Sequence, residues 1–166
     1  MAKAIYLSTA GIHLAYAVET VSGQKPTGAF TDIQGVTSIS EISSQKETIE
    51  VTPLSAKVYK EYVGGLADPG GVWEIGANES NVLHEEWAAL VSAYETAKAS
   101  GLRTWFEVFI PGFDNAFFIV GEPNTLGFGG AEVSSALTTT CRITINEVVA
   151  WDAPVEITGI DESKQS

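Results

Sequence analysis

The sequence has a single cysteine, Cys141, among its 166 residues. One cysteine cannot form a disulfide within the chain, which fits a protein of a reducing compartment. No run approaches the about 18 consecutive apolar residues of a membrane-spanning helix, so we expect no membrane insertion. Lys3 and the apolar residues after it resemble a short signal peptide, but Ser8 and His13 interrupt them. From Ile12 onward apolar and polar residues alternate, which favours a half-buried strand instead.

Basic residues are also scarce. Nine lysines and arginines stand against 21 acidic residues, giving a formal charge of −12 and a pI near 4.4. A protein that grips nucleic acid needs clustered cations to displace counterions from phosphates. The basic residues here are scattered, so we expect no tight or specific nucleic-acid binding. An acidic composition can also serve only to keep a protein soluble, so the net charge by itself does not identify a function.

Residue patterns for catalysis or metal binding are missing as well. The two histidines, His13 and His84, have no clustered ligand spacing. Cys141 lies among apolar positions of a predicted strand, where a thiol is usually inert packing. The glycine clusters lack the Gly-Lys-Ser/Thr ending of a phosphate-binding loop. We therefore predict no enzyme, no cofactor and no metal site.

The patterns that are present predict a mainly β chain with one helix. Residues 81–100 carry apolar side chains at helical spacing, with Ser80 or Asn81 as N-cap and Gly101 beyond the end. This apolar stripe is typical of a core-facing helix. Strands or β-leaning segments are predicted at 12–18, 33–43, 47–52 and 72–78, at 103–110 and 116–121 as a hairpin, and from 133 to 146.

The last of these segments has the clearest alternation in the chain. Apolar residues stand at the odd positions Val133, Leu137, Cys141, Ile143 and Ile145, and the even positions are mostly short and polar, which indicates one long strand or two strands around a bulge. The even face would be turned away from the core. Its candidate residues are Glu132, Ser134, Thr138, Thr140 and Thr144.

Residues 53–71 are predicted to form a long loop that starts at Pro53 and ends in Gly70-Gly71. Structureless loops of more than about 12–15 residues are uncommon in compact domains and are usually functional. This one is also apolar, with Leu54, Tyr59 and Leu66 among its residues, so a free subunit would expose apolar surface. Either a partner covers the loop, which we favour, or it folds back on its own domain.

Several segments together resemble the major tail tube proteins of long-tailed phages with flexible tails. The similarity extends from Thr9 to Trp151. The segments that carry it are Tyr16-Ala17-Val18-Glu19-Thr20, Pro26-Thr27-Gly28-Ala29-Phe30, Ile49-Glu50-Val51-Thr52-Pro53-Leu54-Ser55, Tyr62 to Gly71, Trp87 to Ala97, Thr104-Trp105-Phe106, Phe117 to Pro123 and Leu126-Gly127-Phe128.

This resemblance implies a fold of two packed antiparallel sheets, a β-sandwich or partial barrel, flanked by the helix at about 81–100. It implies hexameric rings stacked into a virion tail tube around a DNA channel, with tape-measure, tail terminator and tail-tip proteins as further partners. The polar even face of residues 132–146 is then a candidate lumen lining or outer surface, and the sequence leaves both open. Residues 53–71 would be the loop that stacks one ring on the next. Its candidate self-assembly residues are Leu54, Tyr59, Tyr62, Gly65, Leu66, Asp68, Gly70 and Gly71.

We accordingly predict a tail-tube domain at 1–152 and a flexible polar tail at 153–166. The sheets of neighbouring subunits would join side by side, and residues 53–71 would become ordered on stacking. An inner-tube protein of a contractile injection system is the structural alternative. A secreted ligand-binding β-barrel is a third possibility, which would need a true signal peptide and an apolar cavity.

Overall fold

A computed structural model describes residues 11–43, 45–68 and 71–158. Ten strands and one helix account for more than half of these residues. In order they are β1 (His13–Val18), β2 (Phe30–Asp32), β3 (Val36–Ile39), β4 (Gln45–Glu50), β5 (Tyr62–Asp68), β6 (Val72–Asn78), α1 (Asn81–Ala99), β7 (Thr104–Phe109), β8 (Ala116–Pro123), β9 (Thr138–Asp152) and β10 (Ile157–Thr158).

Eight of the strands form one sheet in the order β10-β2-β1-β7-β8-β9-β6-β3. Neighbouring strands are antiparallel except β10 and β2, which run parallel. The sheet curls into a half-barrel, and β4 and β5 form a separate two-stranded sheet. The predicted mainly β fold, with a partial barrel and one helix, is therefore confirmed.

The helix begins and ends almost where its periodicity predicts. Ser80 is the N-cap, and its hydroxyl accepts the backbone N–H of Leu83 at 3.1 Å. At the other end Gly101 has a φ of 73°, a left-handed conformation that glycine adopts without strain. Leu83, Trp87 and Leu90 are buried, which confirms the prediction that the apolar stripe faces the core.

One face of the sheet packs against α1. Leu14 from β1, Phe106 from β7 and Ile119 from β8 contact this cluster, together with apolar residues of β6 and β9. The Trp87 indole also donates a hydrogen bond to the carbonyl of Asn124, at 2.7 Å. This bond ties α1 to the segment after β8.

The opposite face holds a second, smaller core. Phe30, Trp105 and Phe118 lie at its centre, and Phe118 meets the other two rings edge to face at 5.9 and 6.4 Å. Val155 and Ile157 cover this cluster from the C-terminal side. The ordered sheet thus extends past the boundary predicted at residue 152, while residues 159–166 of the predicted tail lie outside the described residues.

Strand β9 differs from the prediction at both ends. It is one 15-residue strand, and its pairing with β8 contains two register shifts. The strand is therefore both unusually long, as one alternative predicted, and irregular in its pairing, as the other did. It starts only at Thr138, because its partner β6 ends opposite that residue, at Asn78. The prediction of a strand from 133 to 137 is therefore wrong, because no neighbouring strand is described to pair with these residues.

The prediction of a structureless loop at 53–71 is also wrong in part. Tyr62–Asp68 forms strand β5 and pairs with β4, so the irregular connection is only 51–61. Gly64 and Gly65 lie in the middle of β5, beside a register shift in the pairing. Two adjacent glycines lower the local propensity for a strand, which is why the sequence predicts a loop here. The strand forms nevertheless because its backbone pairs with β4.

Candidate self-assembly surface

The β4–β5 hairpin, residues 45–68, is held together by its own backbone ladder. Ile49 lies opposite Val63 and Glu50 opposite Tyr62. Beyond the strands the Val51 N–H donates to the Glu61 carbonyl at 2.8 Å. The connection 51–61, which we call the tip loop, is therefore closed at its base.

Apolar side chains of this hairpin are exposed on both of its faces. Leu66 is 86% exposed, and Leu54 and Tyr59 in the tip loop are almost fully exposed. Half of all the exposed large hydrophobic side chains of the described residues belong to the hairpin. They are Ile49, Val51, Leu54, Val58, Tyr59, Tyr62, Val63 and Leu66. An isolated two-stranded hairpin is marginally stable in water, so this surface calls for a partner.

The glycines of the hairpin have a definable role. A Cβ added to Gly65 would lie 3.1 Å from the Ile49 side chain and 3.3 Å from that of Glu47. Glycine at this position therefore lets the two strands approach at the register shift.

The structure brings most of the predicted stacking residues together. Leu54 and Tyr59 lie in the tip loop, and Tyr62, Gly65, Leu66 and Asp68 lie on β5. Gly71 precedes β6, where its carbonyl accepts the Ile145 N–H at 2.8 Å, and Gly70 lies outside the described residues. The predicted list omitted Ile49, Val51, Val58 and Val63, which are exposed on the same hairpin. The alternation of the predicted strand at 47–52 could have identified Ile49 and Val51.

The predicted polar face is only partly a strand. Thr138, Thr140 and Thr144 lie on one face of β9, turned away from the core that α1 covers. Glu132 and Ser134 instead lie in an exposed irregular segment, residues 124–137, where Ser134 has a φ of 65°. Their assignment to the strand face is wrong, for the pairing reason given above.

The polar face contains a compensated ion pair. Arg142 of β9 contacts Glu74 of β6 at 3.2 Å, and the two residues are directly opposite in the ladder. Asn124 donates to the Thr144 hydroxyl at 3.4 Å. The face therefore offers mainly short hydroxyls and a neutralised arginine.

A buried carboxylate fixes the start of β7 to the end of β1. Glu19 accepts the backbone N–H of Arg103 at 2.7 Å and its Nε at 3.0 Å, while Arg103 Nη1 contacts Glu147 at 2.6 Å. Burial opposes ionisation of Glu19, but the hydrogen bonds from Arg103 outweigh it and lower the pKa of this carboxyl.

A second buried carboxylate holds the C-terminal segment. Glu107 accepts the Val155 N–H at 3.2 Å, and Lys25 binds the side chain of Asp152 and the carbonyl of Ala153. Burial raises the pKa of Glu107, and the Val155 hydrogen bond and nearby Lys25 only partly counteract it. These contacts serve packing of the segment.

Reactive groups in the described part of the chain are placed for structure. Cys141 is buried, and burial, aided by the charge of Glu79, raises the pKa of its thiol to about 11. His84 contacts Glu79 at 3.1 Å on the surface. The described residues contain no cluster of His, Cys, Asp or Glu able to hold a metal ion, and no helix among them is long and apolar enough to cross a membrane.

Three solved chains with a similar fold come from an anti-feeding prophage and from gene transfer agent particles. A chain in a cryo-EM structure of the anti-feeding prophage baseplate, 6-fold symmetrised, is 10% identical, with a TM-score of 0.57 over 88% of this chain and 95% of that one. A chain in the tail of an empty gene transfer agent particle, refined with C6 symmetry, is 16% identical, with a TM-score of 0.53 over 87% and 96%. A chain in the native gene transfer agent virion is 18% identical, with a TM-score of 0.52 over 75% and 89%.

Sequence comparison gives the family. No curated protein is a significant match to this sequence. The family model described as "Phage tail tube, TTP, lambda-like" matches residues 7–102, more than half of the chain and including the whole β4–β5 hairpin. The chain therefore belongs to the lambda-like family of phage tail tube proteins and is a structural protein of the virion tail.

Proposed function

We propose that this chain assembles into six-membered rings that stack into a hollow tube, with the β4–β5 hairpin forming the contact between rings. The observation that carries the proposal is the apolar surface of the hairpin, exposed on both faces in the single subunit. Sixfold symmetry is favoured by the C6 and 6-fold particles that contain chains of this fold. The role is structural, without catalysis.

Ring closure would join the sheets of neighbouring subunits side by side. The outer strands of the eight-stranded sheet, β3 and β10, have only four and two residues. Short edges limit uncontrolled pairing of a free subunit and are satisfied when a neighbour covers them. A closed barrel of this kind leaves no free edge.

The polar face of β6 and β9 would then line the channel. The other face of these strands packs on α1 and is unavailable. Threonine hydroxyls and the Arg142–Glu74 pair present no uncompensated cation to a phosphate. The net charge of −12 adds weak repulsion, which reaches only about 8 Å at physiological salt. DNA would therefore pass through without specific binding, and tape-measure, terminator and tail-tip proteins would complete the tail.

Negative-stain microscopy of the concentrated protein tests the proposal. We expect rings and tubes for the natural sequence, and rings without tubes for a hairpin variant, Leu54→Ser with Leu66→Ser. Val21→Ser, which changes another exposed apolar residue, is the matched control and should still form tubes. The proposal fails if concentrated protein, with or without preformed tubes as seeds, yields neither rings nor filaments.

An inner tube of a contractile injection system remains the second candidate. The fold shared with the anti-feeding prophage chain favours it, whereas the lambda-like family model favours the phage tail. Particles purified from the producing cell would separate the two, because a contractile system surrounds its tube with a sheath.

A further inference from the structure

We propose that the β4–β5 hairpin of one subunit docks on a defined receptor in the next ring. The receptor consists of the 124–137 segment and the first turns of α1. This inference rests on the proposed stacking of rings and names the surface that receives the hairpin. The occupant is therefore a second copy of this chain.

The hairpin and the receptor lie at opposite ends of β6. The hairpin joins the sheet at the end of β6 where Val72 lies, since Ser40 just before it hydrogen-bonds Glu74 and Trp73. The exposed apolar part of the receptor, residues 127–137, lies at the other end, where Asn78 pairs with Thr138 and the Thr139 hydroxyl contacts Gly127. A seven-residue strand is roughly 23 Å long, so the two surfaces are separated by most of the length of the strand.

The receptor is the second concentration of exposed apolar side chains at a sheet end. Phe128 is 78% exposed and Val133 is 96% exposed. Leu137 and Val82 are also exposed, and the Glu79 N–H donates to the Leu137 carbonyl at 2.9 Å. This bond places the end of the 124–137 segment beside the start of α1.

Backbone contacts hold the receptor in a fixed shape. A Cβ on Gly129 would clash with the Thr138 carbonyl oxygen and lie 2.8 Å from the Thr139 Cα, so the segment passes directly over the first residues of β9. The Thr139 hydroxyl also donates to the Gly127 carbonyl at 3.4 Å. Phe128 lies between these two anchored glycines.

The two surfaces differ in the sign of their charge. The tip loop carries Lys57 and Lys60 against one carboxylate, Glu61, and Lys60 also lies 4.0 Å from Glu50 of β4. The receptor carries exposed Glu132, and exposed Glu85 lies in the early turns of α1. Opposite charges that meet at an interface fix its register and exclude wrong pairings.

Two different surfaces at opposite ends make the contact heterologous. A heterologous contact that does not close on itself continues indefinitely, which is the geometry of a growing tube. It also gives a specific expectation for mixtures. A subunit without a working hairpin and a subunit without a working receptor can still make one contact with each other, and no more.

The experiment uses a hairpin variant, Leu54→Asp with Leu66→Asp, and a receptor variant, Phe128→Asp with Val133→Asp. All four side chains are exposed, so both variants should fold, as circular dichroism would verify. Each variant alone should form single rings without tubes. Mixing preassembled rings of the two variants should give pairs of rings and nothing longer, and Val21→Asp should form tubes like the natural protein.

The outcomes separate the inference from the proposed function. If the natural protein forms no rings or tubes, the proposed function itself fails. If it forms tubes and the receptor variant does too, the inference alone is overturned. A folded receptor variant that forms no rings, or a mixture without ring pairs, also overturns it.

A charge swap tests the same contact independently. Glu85→Lys with Glu132→Lys should raise the protein concentration needed for tubes by at least tenfold at low salt. Adding Lys57→Glu and Lys60→Glu in the same chain should restore most of that loss. Failure of the second pair to restore assembly contradicts the proposed facing of these charges.

Discussion

Truncating exposed leucines of the hairpin should abolish tube growth without destabilising the subunit. Leu54 and Leu66 contact little in the single chain, whereas Leu83 is fully buried in the core. The same Leu→Ala substitution at these three positions therefore separates assembly from folding. Leu83→Ala is the matched control, because it removes the same atoms from a leucine that is buried within the subunit.

The expected magnitudes follow from burial. Leu→Ala removes about three carbon groups, each contributing about 0.8 kcal/mol when buried, so a leucine fully covered in the tube loses about 2.4 kcal/mol per contact. That corresponds to about 50-fold in the affinity of each contact, since about 1.4 kcal/mol is tenfold. In the free subunit, Leu54→Ala or Leu66→Ala should change the free energy of unfolding by less than about 0.5 kcal/mol. Leu83→Ala should lower it by about 2–5 kcal/mol.

Two assays measure these quantities. Urea unfolding at a concentration below the onset of assembly gives the stability of the subunit. Sedimentation of tubes over a concentration series gives the concentration of subunit that remains unassembled. A loss of more than 1 kcal/mol of stability in Leu66→Ala would mean that the hairpin packs on its own subunit, and an unchanged assembly threshold would mean that Leu66 is not at an interface.

Four further predictions concern the core and the channel. Gly121→Val should lower the free energy of unfolding by about 1–3 kcal/mol in urea, because a Cβ there would lie 2.7 Å from the nearest side chain; Gly127→Val, with open space around it, is the control and should change stability little. Glu19→Gln should destabilise the subunit at neutral pH and flatten its acid dependence. The reason is that a carboxyl with a lowered pKa contributes stability above its unfolded pKa and loses it as the pH falls through the folded value. Glu107→Gln should be neutral or stabilising at pH 7, because a carboxyl with a raised pKa costs stability as the pH rises; equal pH profiles for the two variants would contradict this assignment. Thr140→Arg should leave tubes intact but slow DNA ejection more at low salt than at high salt, and unchanged ejection would place this face outside the channel.

Much of the fold could be predicted from local periodicity, because the pattern of a helix or strand lies in consecutive residues and does not depend on which other segments it packs against. The helix repeats apolar residues along one side, and its observed range, Asn81–Ala99, differs from the prediction by one residue. Strands β1 and β6 have alternation over their whole length, and both were predicted. These elements carry their own signal in consecutive residues.

The errors arose where pairing with a distant strand decides the structure. Strand β5 contains Gly64 and Gly65, which disfavour a strand until β4 lies beside them. Val133 and Leu137 place apolar residues at odd positions before β9, yet no described strand continues β6 on that side. Register and pairing are set by contacts between segments far apart in sequence, which a local pattern does not contain.

Of the two candidate surfaces, one could be recognised from local sequence and the other only from the fold. The hairpin could be proposed as an assembly surface from the sequence, because its predicted loop contains many apolar residues whereas exposed loops are normally polar. The receptor was missed, since Phe128 is enclosed by glycines that resemble ordinary turn residues. Its significance appears only when the fold places Phe128 and Val133 at the end of the sheet opposite the hairpin.

The fold also shifts the expected cost of assembly. A structureless arm of 53–71 would lose about 1–2 kcal/mol of conformational entropy per residue on stacking, which would strongly oppose growth. Here β5 is already paired with β4, so only the tip loop, 51–61, lacks a continuous ladder, and even its base is closed by the Val51–Glu61 hydrogen bond. Much of the ordering cost is thus met during folding of the subunit, and the apolar area that the hairpin buries can act mainly as binding free energy. A subunit of this kind does not need a disordered arm to delay polymerisation. Delay can come instead from the number of contacts that a ring must make at once, because a single hairpin in a single receptor holds far less tightly than six together.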